Sequence, residues 1–192
     1  MNETFSFDPD RVAALETEAW RAYYDREWLK VLYCTERGCA EQFHIPFPTS
    51  LEAAYWATRG AIAFKPLDND VPTALGACER YYELVRRYSG LEFDPASAAQ
   101  AEVRYWEVHR RLSGAPDHRE LVDTFADLHA VTFGIARARA LESAELRTRA
   151  AILVDGITGR RSSDVDGDWM RLAAELRSCY RSLLAELRSN SS

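Results

Sequence analysis

The sequence holds two copies of a short pattern in which a glutamate, a tryptophan and a ring-bearing residue follow one another at helical spacing. The copies are Glu16, Trp20 and Tyr23 in the first half, and Glu102, Trp106 and His109 in the second. Residues at these spacings lie on one face of an α-helix. Because a tryptophan is usually directed at a protein core, the glutamate one turn before it is drawn inward too. A buried carboxylate needs a cation, a hydrogen-bond donor or a metal ion, so we predict an internal site here.

A metal centre is one chemistry that these residue types can support. Helical bundles hold di-iron and di-manganese centres between inward-facing glutamates and histidines of different helices. The predicted metal ligands are Glu16, Glu102, His109 and His129. Tyr23 would donate a hydrogen bond to one of these ligands. Iron or manganese is the cofactor that this set favours, and Glu16, Glu102, His109 and Tyr23 are then the predicted catalytic residues.

Two other interpretations of the same residues remain open. In the first, one of the arginines Arg59, Arg104 and Arg147 pairs with the glutamates, and the network only fixes how the helices pack. In the second, aromatic side chains face the small residues of the second predicted helix and enclose an apolar ligand pocket. The predicted ligand-binding residues are Trp20, Trp106, Tyr55, Arg59 and Arg110.

Helices must hold these side chains in position, and sequence signals for helices recur along the whole chain. Asp8-Pro9 places a capping residue before a proline at the first helical position. The first helix is predicted to run from Pro9 to near Arg37, with Gly38 as its stop. Asp94 followed by proline opens the fourth predicted helix in the same way.

The remaining predicted helices cover about 50–65, 72–89, 117–136 and 142–156, and a last amphipathic helix carries Trp169 and Leu183. Sustained strand alternation and hairpin turns are absent from the sequence. The predicted fold class is therefore an all-α bundle of six to seven helices. Short connections favour antiparallel neighbours in such a bundle.

The two capping segments belong to a longer internal repeat. Phe7-Asp8-Pro9 matches Phe93-Asp94-Pro95 at an offset of 86 positions, and the same offset places Glu16 on Glu102, Trp20 on Trp106 and Tyr23 on His109. We predict a duplication with halves of about 7–90 and 93–188, in which the first helix corresponds to the fourth. Around a pseudo-twofold axis the two glutamates would converge. No linker divides the chain, so residues 1–192 are predicted to form a single domain.

Bulk composition narrows the classes of partner. The chain has 192 residues, of which 47% are hydrophobic and 28% charged, and its net charge is −6. These values favour a globular domain over a nucleic-acid binder. No run approaches the roughly 18 apolar residues of a membrane span, and the first residues lack a signal-peptide pattern. We expect a cytoplasmic protein with reduced cysteines, whose partners are a small-molecule ligand or substrate and a second copy of itself.

The same residues resemble a set of uncharacterised bacterial all-helical proteins over nearly the whole chain. The residues that carry the resemblance are Glu16, Trp20, Tyr23, Tyr24, Tyr55, Arg59, Glu102, Trp106, His109, Arg110 and Trp169. It implies the all-helical fold and the importance of the Glu-Trp-His face, and it implies no substrate. A weaker, partial likeness links the spacing of Glu102 and His109 to haem-oxygenase-like and ferritin-like di-iron proteins.

The function that these observations favour is a small-molecule enzyme with a buried Glu/His/Tyr site, in particular a metal-dependent oxidoreductase that uses iron or manganese. The alternative is a non-enzymatic small-molecule-binding or scaffolding protein whose Glu/His/Arg network is structural. The contacts of the Glu102 carboxylate separate the two, since a metal-ligand set favours the enzyme and a salt bridge to arginine favours the alternative.

Overall fold

The computed structural model of the protein describes residues 5–190. Within that range eight α-helices follow one another: α1 (Pro9–Asp25), α2 (Trp28–Phe43), α3 (Thr49–Phe64), α4 (Val71–Ser89), α5 (Pro95–Leu112), α6 (Arg119–Phe133), α7 (Leu141–Thr158) and α8 (Val165–Asn190). A short 3₁₀ helix at Arg137–Ala140 leads into α7. The described residues contain no β-strand, which confirms the all-α class. The predicted number of six to seven helices was too low.

The helices form a closed ring. Each one packs against the next in the sequence, and α8 packs against α1. Every helix therefore has one face that points to the middle of the ring, where side chains from distant parts of the sequence meet. This arrangement allows α1 and α5 to present their glutamates to a shared interior.

The first predicted helix is in fact two helices, because the chain turns at Arg26. This residue has a left-handed backbone with φ 61°, and its N–H bonds back to the carbonyl oxygens of Ala22 and Tyr23. A non-glycine residue rarely takes this conformation, so the turn is hard to predict from the sequence. Gly38, the predicted stop, lies inside α2.

The predicted helix caps are confirmed. The Asp8 carboxylate accepts hydrogen bonds from the backbone N–H groups of Asp10 and Arg11. Asp94 accepts one from Ser97 in the same position of α5. Each cap satisfies N–H groups that a helix start leaves without an intrahelical partner. α1 and α5 therefore begin at the residues that the sequence indicates.

Small residues allow α3, α4 and α5 to approach closely. Ala53 and Ala54 of α3 are fully buried. A Cβ atom added at Gly60 would lie 3.2 Å from the sulfur of Cys78 on α4 and 3.5 Å from the Trp106 ring on α5. The alanines and the glycine of the second predicted helix thus serve helix packing at these positions.

None of the helices in residues 5–190 combines the length and the apolar composition needed to cross a membrane. All four cysteines are buried and free of disulfide bonds. Burial raises the pKa of Cys39 and Cys179 to about 12. These two thiols are therefore protonated near neutral pH, which disfavours a role as nucleophiles.

Candidate functional site

A cavity of about 580 Å³ lies inside the ring, and all eight helices contribute to its wall. Three of the residues that line it are exposed, namely Tyr24, Ser113 and Thr158. They lie at the carboxyl ends of α1, α5 and α7. The cavity therefore reaches the protein surface at this end, which we call the mouth.

Most of the predicted site residues meet in this cavity. Those that line it are Glu16, Trp20, Tyr23, Glu102, Trp106, His109, Arg110 and His129. Tyr55 and Arg59 do not line it. They lie on the exposed face of α3, where the Arg59 guanidinium donates a 3.4 Å hydrogen bond to the Tyr55 hydroxyl.

Glu16 is held by two side chains from the last two helices. Arg147 of α7 donates from Nη1 to Oε2 over 3.3 Å and from Nη2 to Oε1, and Tyr180 of α8 donates its hydroxyl to Oε2. Burial opposes the charge on Arg147, but the adjacent carboxylate raises the pKa of the guanidinium well above its usual value. The pairing of a glutamate with arginine, which the sequence offers as an alternative to a metal centre, is therefore present at Glu16, and Arg147 is the arginine.

Glu102 has a different environment. Its Oε2 accepts a 2.8 Å hydrogen bond from the hydroxyl of Tyr82 on α4. Burial raises the pKa of Glu102, and the Tyr82 hydrogen bond and the more distant charge of Arg147 oppose that rise. No lysine or arginine among residues 5–190 forms an ion pair with it. Neither of the two expected outcomes, a metal-ligand set or a salt bridge, is found at this carboxylate.

The two glutamate–tyrosine pairs share one further contact. The Tyr180 ring meets the edge of Phe7 with centroids 5.9 Å apart and ring planes at 90°. The Tyr82 ring meets Phe93 in the same way, at 5.9 Å and 89°. Such edge-to-face contacts fix the direction of each ring and hence of its hydroxyl.

His109 lies beside Asp155 of α7 near the mouth. Its Nε2 is 3.1 Å from Asp155 Oδ1. The direction is nevertheless unsuitable for a hydrogen bond, so the buried Nε2 has no partner among the described residues. The imidazole also stacks on Tyr105, with centroids 6.2 Å apart. The His109 side chain is 17% exposed, so part of the ring is accessible at the mouth while Nε2 faces Asp155.

Arg110 and Lys65 are engaged by the protein itself. Arg110 donates to the carbonyl oxygens of Phe64, Lys65 and Pro66 at 2.5, 3.2 and 3.0 Å, so it caps the carboxyl end of α3. The Lys65 ammonium lies 3.8 Å from the centre of the Tyr23 ring. Arg110 lines the cavity, but its predicted role as a ligand-binding residue competes with this structural one.

His129 is buried at the other end of the cavity. Its Nδ1 lies 2.8 Å from Ser143 Oγ, and the Ser143 hydroxyl donates to the carbonyl oxygen of Ala140. Because that hydroxyl has a single hydrogen, His129 Nδ1 must carry a proton and donate it to Ser143. Burial, together with the charge of Arg147, lowers the pKa of His129 well below 6.5. His129 is therefore neutral at physiological pH.

The predicted metal ligands do not form a metal-binding set. Within residues 5–190 no three or more His, Cys, Asp or Glu side chains are arranged to hold a metal ion. Glu16 is already neutralised by Arg147, and the nearest hydrogen-bond partner of Glu102 is a tyrosine. Iron or manganese thus stays a prediction from the sequence that the donor geometry does not support.

Several site residues were missed in the sequence. Tyr82 and Tyr180 bond to the two glutamates, Asp155 lies beside His109, and Lys65 lies at the mouth. The spacing of the two tyrosines does not relate them to the glutamates, since each pair joins two different helices. Asp155 likewise has no signal in the sequence, because its position depends on how α7 packs in the ring.

The fold and its interior define an all-α protein in which a closed ring of helices surrounds a cavity. No protein-family model, curated protein or solved structure matches the chain. The resemblance to a set of bacterial helical proteins is therefore not accompanied by an identified family.

Proposed function

We propose that the protein binds a small organic molecule in the central cavity. The observation that supports this function is the cavity itself, whose wall of aromatic rings also carries the Glu102 carboxylate and the Glu16–Arg147 pair. Protein interiors are otherwise close-packed. A purely structural network would have no need for a space of about 580 Å³, whereas a ligand would fill it.

The size and chemistry of the wall indicate the kind of molecule. The volume of about 580 Å³ lies within the range of roughly 300–1,000 Å³ that is common for small-molecule sites. Broad apolar faces come from aromatic residues, which include Trp20, Phe43, Tyr81, Tyr105 and Trp106. A ligand with a ring or a compact hydrocarbon body and a few polar groups fits such a wall.

We also infer that the two halves of the ring arose by duplication. The support is the repeated arrangement in which a glutamate of α1 or α5 accepts from a tyrosine of the helix packed before it. In both places the tyrosine that donates this hydrogen bond also contacts a phenylalanine, and the two ring planes are nearly perpendicular. Under this proposal the cavity has two related halves, and only the Glu16 half has acquired a buried arginine.

Filling the cavity from Gly38 tests the proposed function. A Cβ atom added at Gly38 meets nothing within 4 Å, and the residue lines the cavity. We expect the wild type to bind the neutral compound 2-phenylethanol, with a fluorescence change from Trp20 and Trp106. In Gly38→Leu the leucine would occupy the same space, so affinity should fall by about tenfold or more. Isothermal titration calorimetry measures both values.

Gly76→Leu is the matched control, because a Cβ atom there also meets nothing within 4 Å and the residue lies on the exposed face of α4. Both substitutions replace glycine inside a helix and should stabilise it by up to about 1 kcal/mol. Only Gly38→Leu should weaken binding. Equal affinity in the two variants, or no binding by the wild type, would contradict the proposal.

Chemistry on the bound molecule is a second candidate, and the placement of His109 favours it. A histidine beside a carboxylate can serve as a general base, with the carboxylate stabilising the protonated ring. His109 and Asp155 lie 3.1 Å apart at the mouth of the cavity. This pair supports an enzyme that needs no metal for proton transfer.

His109→Gln separates catalysis from binding. The amide keeps a polar group at this position but cannot accept and release a proton near neutral pH. A small-molecule extract incubated with the wild type should show compounds consumed and formed by mass spectrometry, and His109→Gln should show none of these changes. The variant should still bind 2-phenylethanol. Identical extracts after incubation with the wild type and with no protein would reject an enzyme.

A further inference from the structure

We propose that the molecule bound in the cavity carries an amino group or another compact organic cation, which pairs with the Glu102 carboxylate. This inference rests on the proposed ligand-binding function and specifies its chemistry. It follows from the charged groups in the cavity wall, from the aromatic rings near Glu102 and from the contacts of Lys65 with aromatic rings at the mouth.

The wall holds three acids, Glu16, Glu102 and Asp155, and three bases, Lys65, Arg110 and Arg147, but they do not all form pairs. Glu16 and Arg147 neutralise each other through two contacts. Glu102 accepts a hydrogen bond from the Tyr82 hydroxyl and has the Trp106 side chain as a second polar neighbour, and no lysine or arginine of residues 5–190 forms an ion pair with it. His129 is neutral, so it adds no positive charge at the inner end. Glu102 is therefore a carboxylate of the wall without a cationic partner among the described residues, and a cationic ligand would supply one.

Aromatic rings surround this carboxylate. Tyr105 and Trp106 follow Glu102 by three and four positions on α5, which places them on the same side of the helix. Tyr81 and Tyr82 come from α4, with ring centroids 5.0 Å apart, and all four rings line the cavity. An ammonium group is attracted both to a carboxylate and to the faces of such rings. An anionic ligand would meet repulsion at the same place.

At the mouth of the cavity, an ammonium group of the protein itself already lies against aromatic rings. The Lys65 ammonium lies over Tyr23 at 3.8 Å, Trp28 at 5.1 Å and Tyr24 at 5.9 Å. Burial lowers the pKa of Lys65, and the ring faces and the Tyr23 carbonyl oxygen at 3.1 Å are the groups that contact its ammonium. The protein therefore holds an ammonium group by aromatic contact at one end of the cavity, and the rings near Glu102 provide similar surfaces deeper inside.

Three compounds of similar shape test the inference. Phenethylamine is a cation near neutral pH, 2-phenylethanol is neutral and phenylacetate is an anion. We expect phenethylamine to bind the wild type about tenfold tighter than 2-phenylethanol, and phenylacetate to bind most weakly. In Glu102→Gln the amide oxygen can still accept from Tyr82, so the cavity should persist. The advantage of the amine over the alcohol should disappear in this variant, with the affinity for the alcohol kept within about twofold.

Glu107→Gln is the control, because Glu107 lies on the exposed face of the same helix and pairs with Arg104. It should keep the preference for the amine. If the wild type binds the alcohol as tightly as the amine, or if Glu102→Gln keeps the preference, the cation inference fails while ligand binding stands. If none of the three compounds binds, the proposed ligand-binding function fails as well.

Discussion

Replacing Arg147 with methionine is expected to lower the free energy of unfolding by about 3–5 kcal/mol, because it leaves a buried carboxylate without its cation. The Arg147 and Glu16 side chains are only 13% and 17% exposed. Methionine keeps much of the length and the apolar contact of the arginine, so the loss reports on charge more than on packing. Tyr180 would remain as the hydrogen-bond donor of Glu16. Urea unfolding followed by circular dichroism measures the change.

A surface pair on the same helix provides the control for this loss. Arg149 of α7 pairs with Glu175 over 3.0 Å, but the arginine is 50% exposed. Arg149→Met should therefore cost less than about 1 kcal/mol. Combining Arg147→Met with Glu16→Gln should recover part of the stability, since the side chain that lost its cation is then neutral. A small loss in Arg147→Met, equal to that of Arg149→Met, would show that the pair does not stabilise the ring.

The parts of the fold that could be predicted depend on residues that lie close together within a single helix. Asp8 and Asp94 act within one turn of their own helices, so their caps are legible in the sequence. The glutamates of α1 and α5 were placed in the interior because each precedes a tryptophan by one turn. Both inferences use only spacing along a helix. They would hold for any arrangement of the helices that buries the tryptophan.

The parts that failed depend on contacts between distant segments. Arg147 is separated from Glu16 by 131 positions, and the sequence offered Arg59 and Arg104 as equally suitable partners. The structure places Arg59 on the outer face of α3 and pairs Arg104 with Glu120 on the surface. Which face of a helix points inward is set by ring closure. A motif on one helix cannot specify that.

The two copies of the Glu-Trp pattern show how identical local sequence can lead to different chemistry. Glu16 and Glu102 have the same spacing to a tryptophan and the same type of tyrosine donor. Only Glu16 has an arginine in contact. The repeat therefore explains why both carboxylates face the cavity, and the position of Arg147 on α7 explains why Glu16 has a cationic partner and Glu102 does not.

Acidification is expected to destabilise the protein through His129. Burial lowers the pKa of this histidine well below its usual 6.5, so it is neutral in the folded state. The unfolded chain takes up a proton at this residue below about pH 6.5, and the folded state does not. The stability is therefore complete above that pH and is lost as the pH falls, by up to about 1.4 kcal/mol per pH unit. Urea unfolding between pH 7.5 and pH 5 measures this slope.

His129→Asn isolates the contribution of the histidine, because the amide N–H can replace Nδ1 as donor to Ser143 and does not titrate. Burial raises the pKa of Glu102, whose uptake of a proton stabilises the folded state on acidification and so opposes the effect of His129. That contribution is common to wild type and variant, so it cancels in the difference between their slopes.

His44→Asn is the control, because His44 is exposed and its left-handed φ of 57° suits asparagine. The expected result is a shallower slope for His129→Asn alone. Equal slopes in all three proteins would mean that His129 takes up a proton in the folded state as readily as in the unfolded chain.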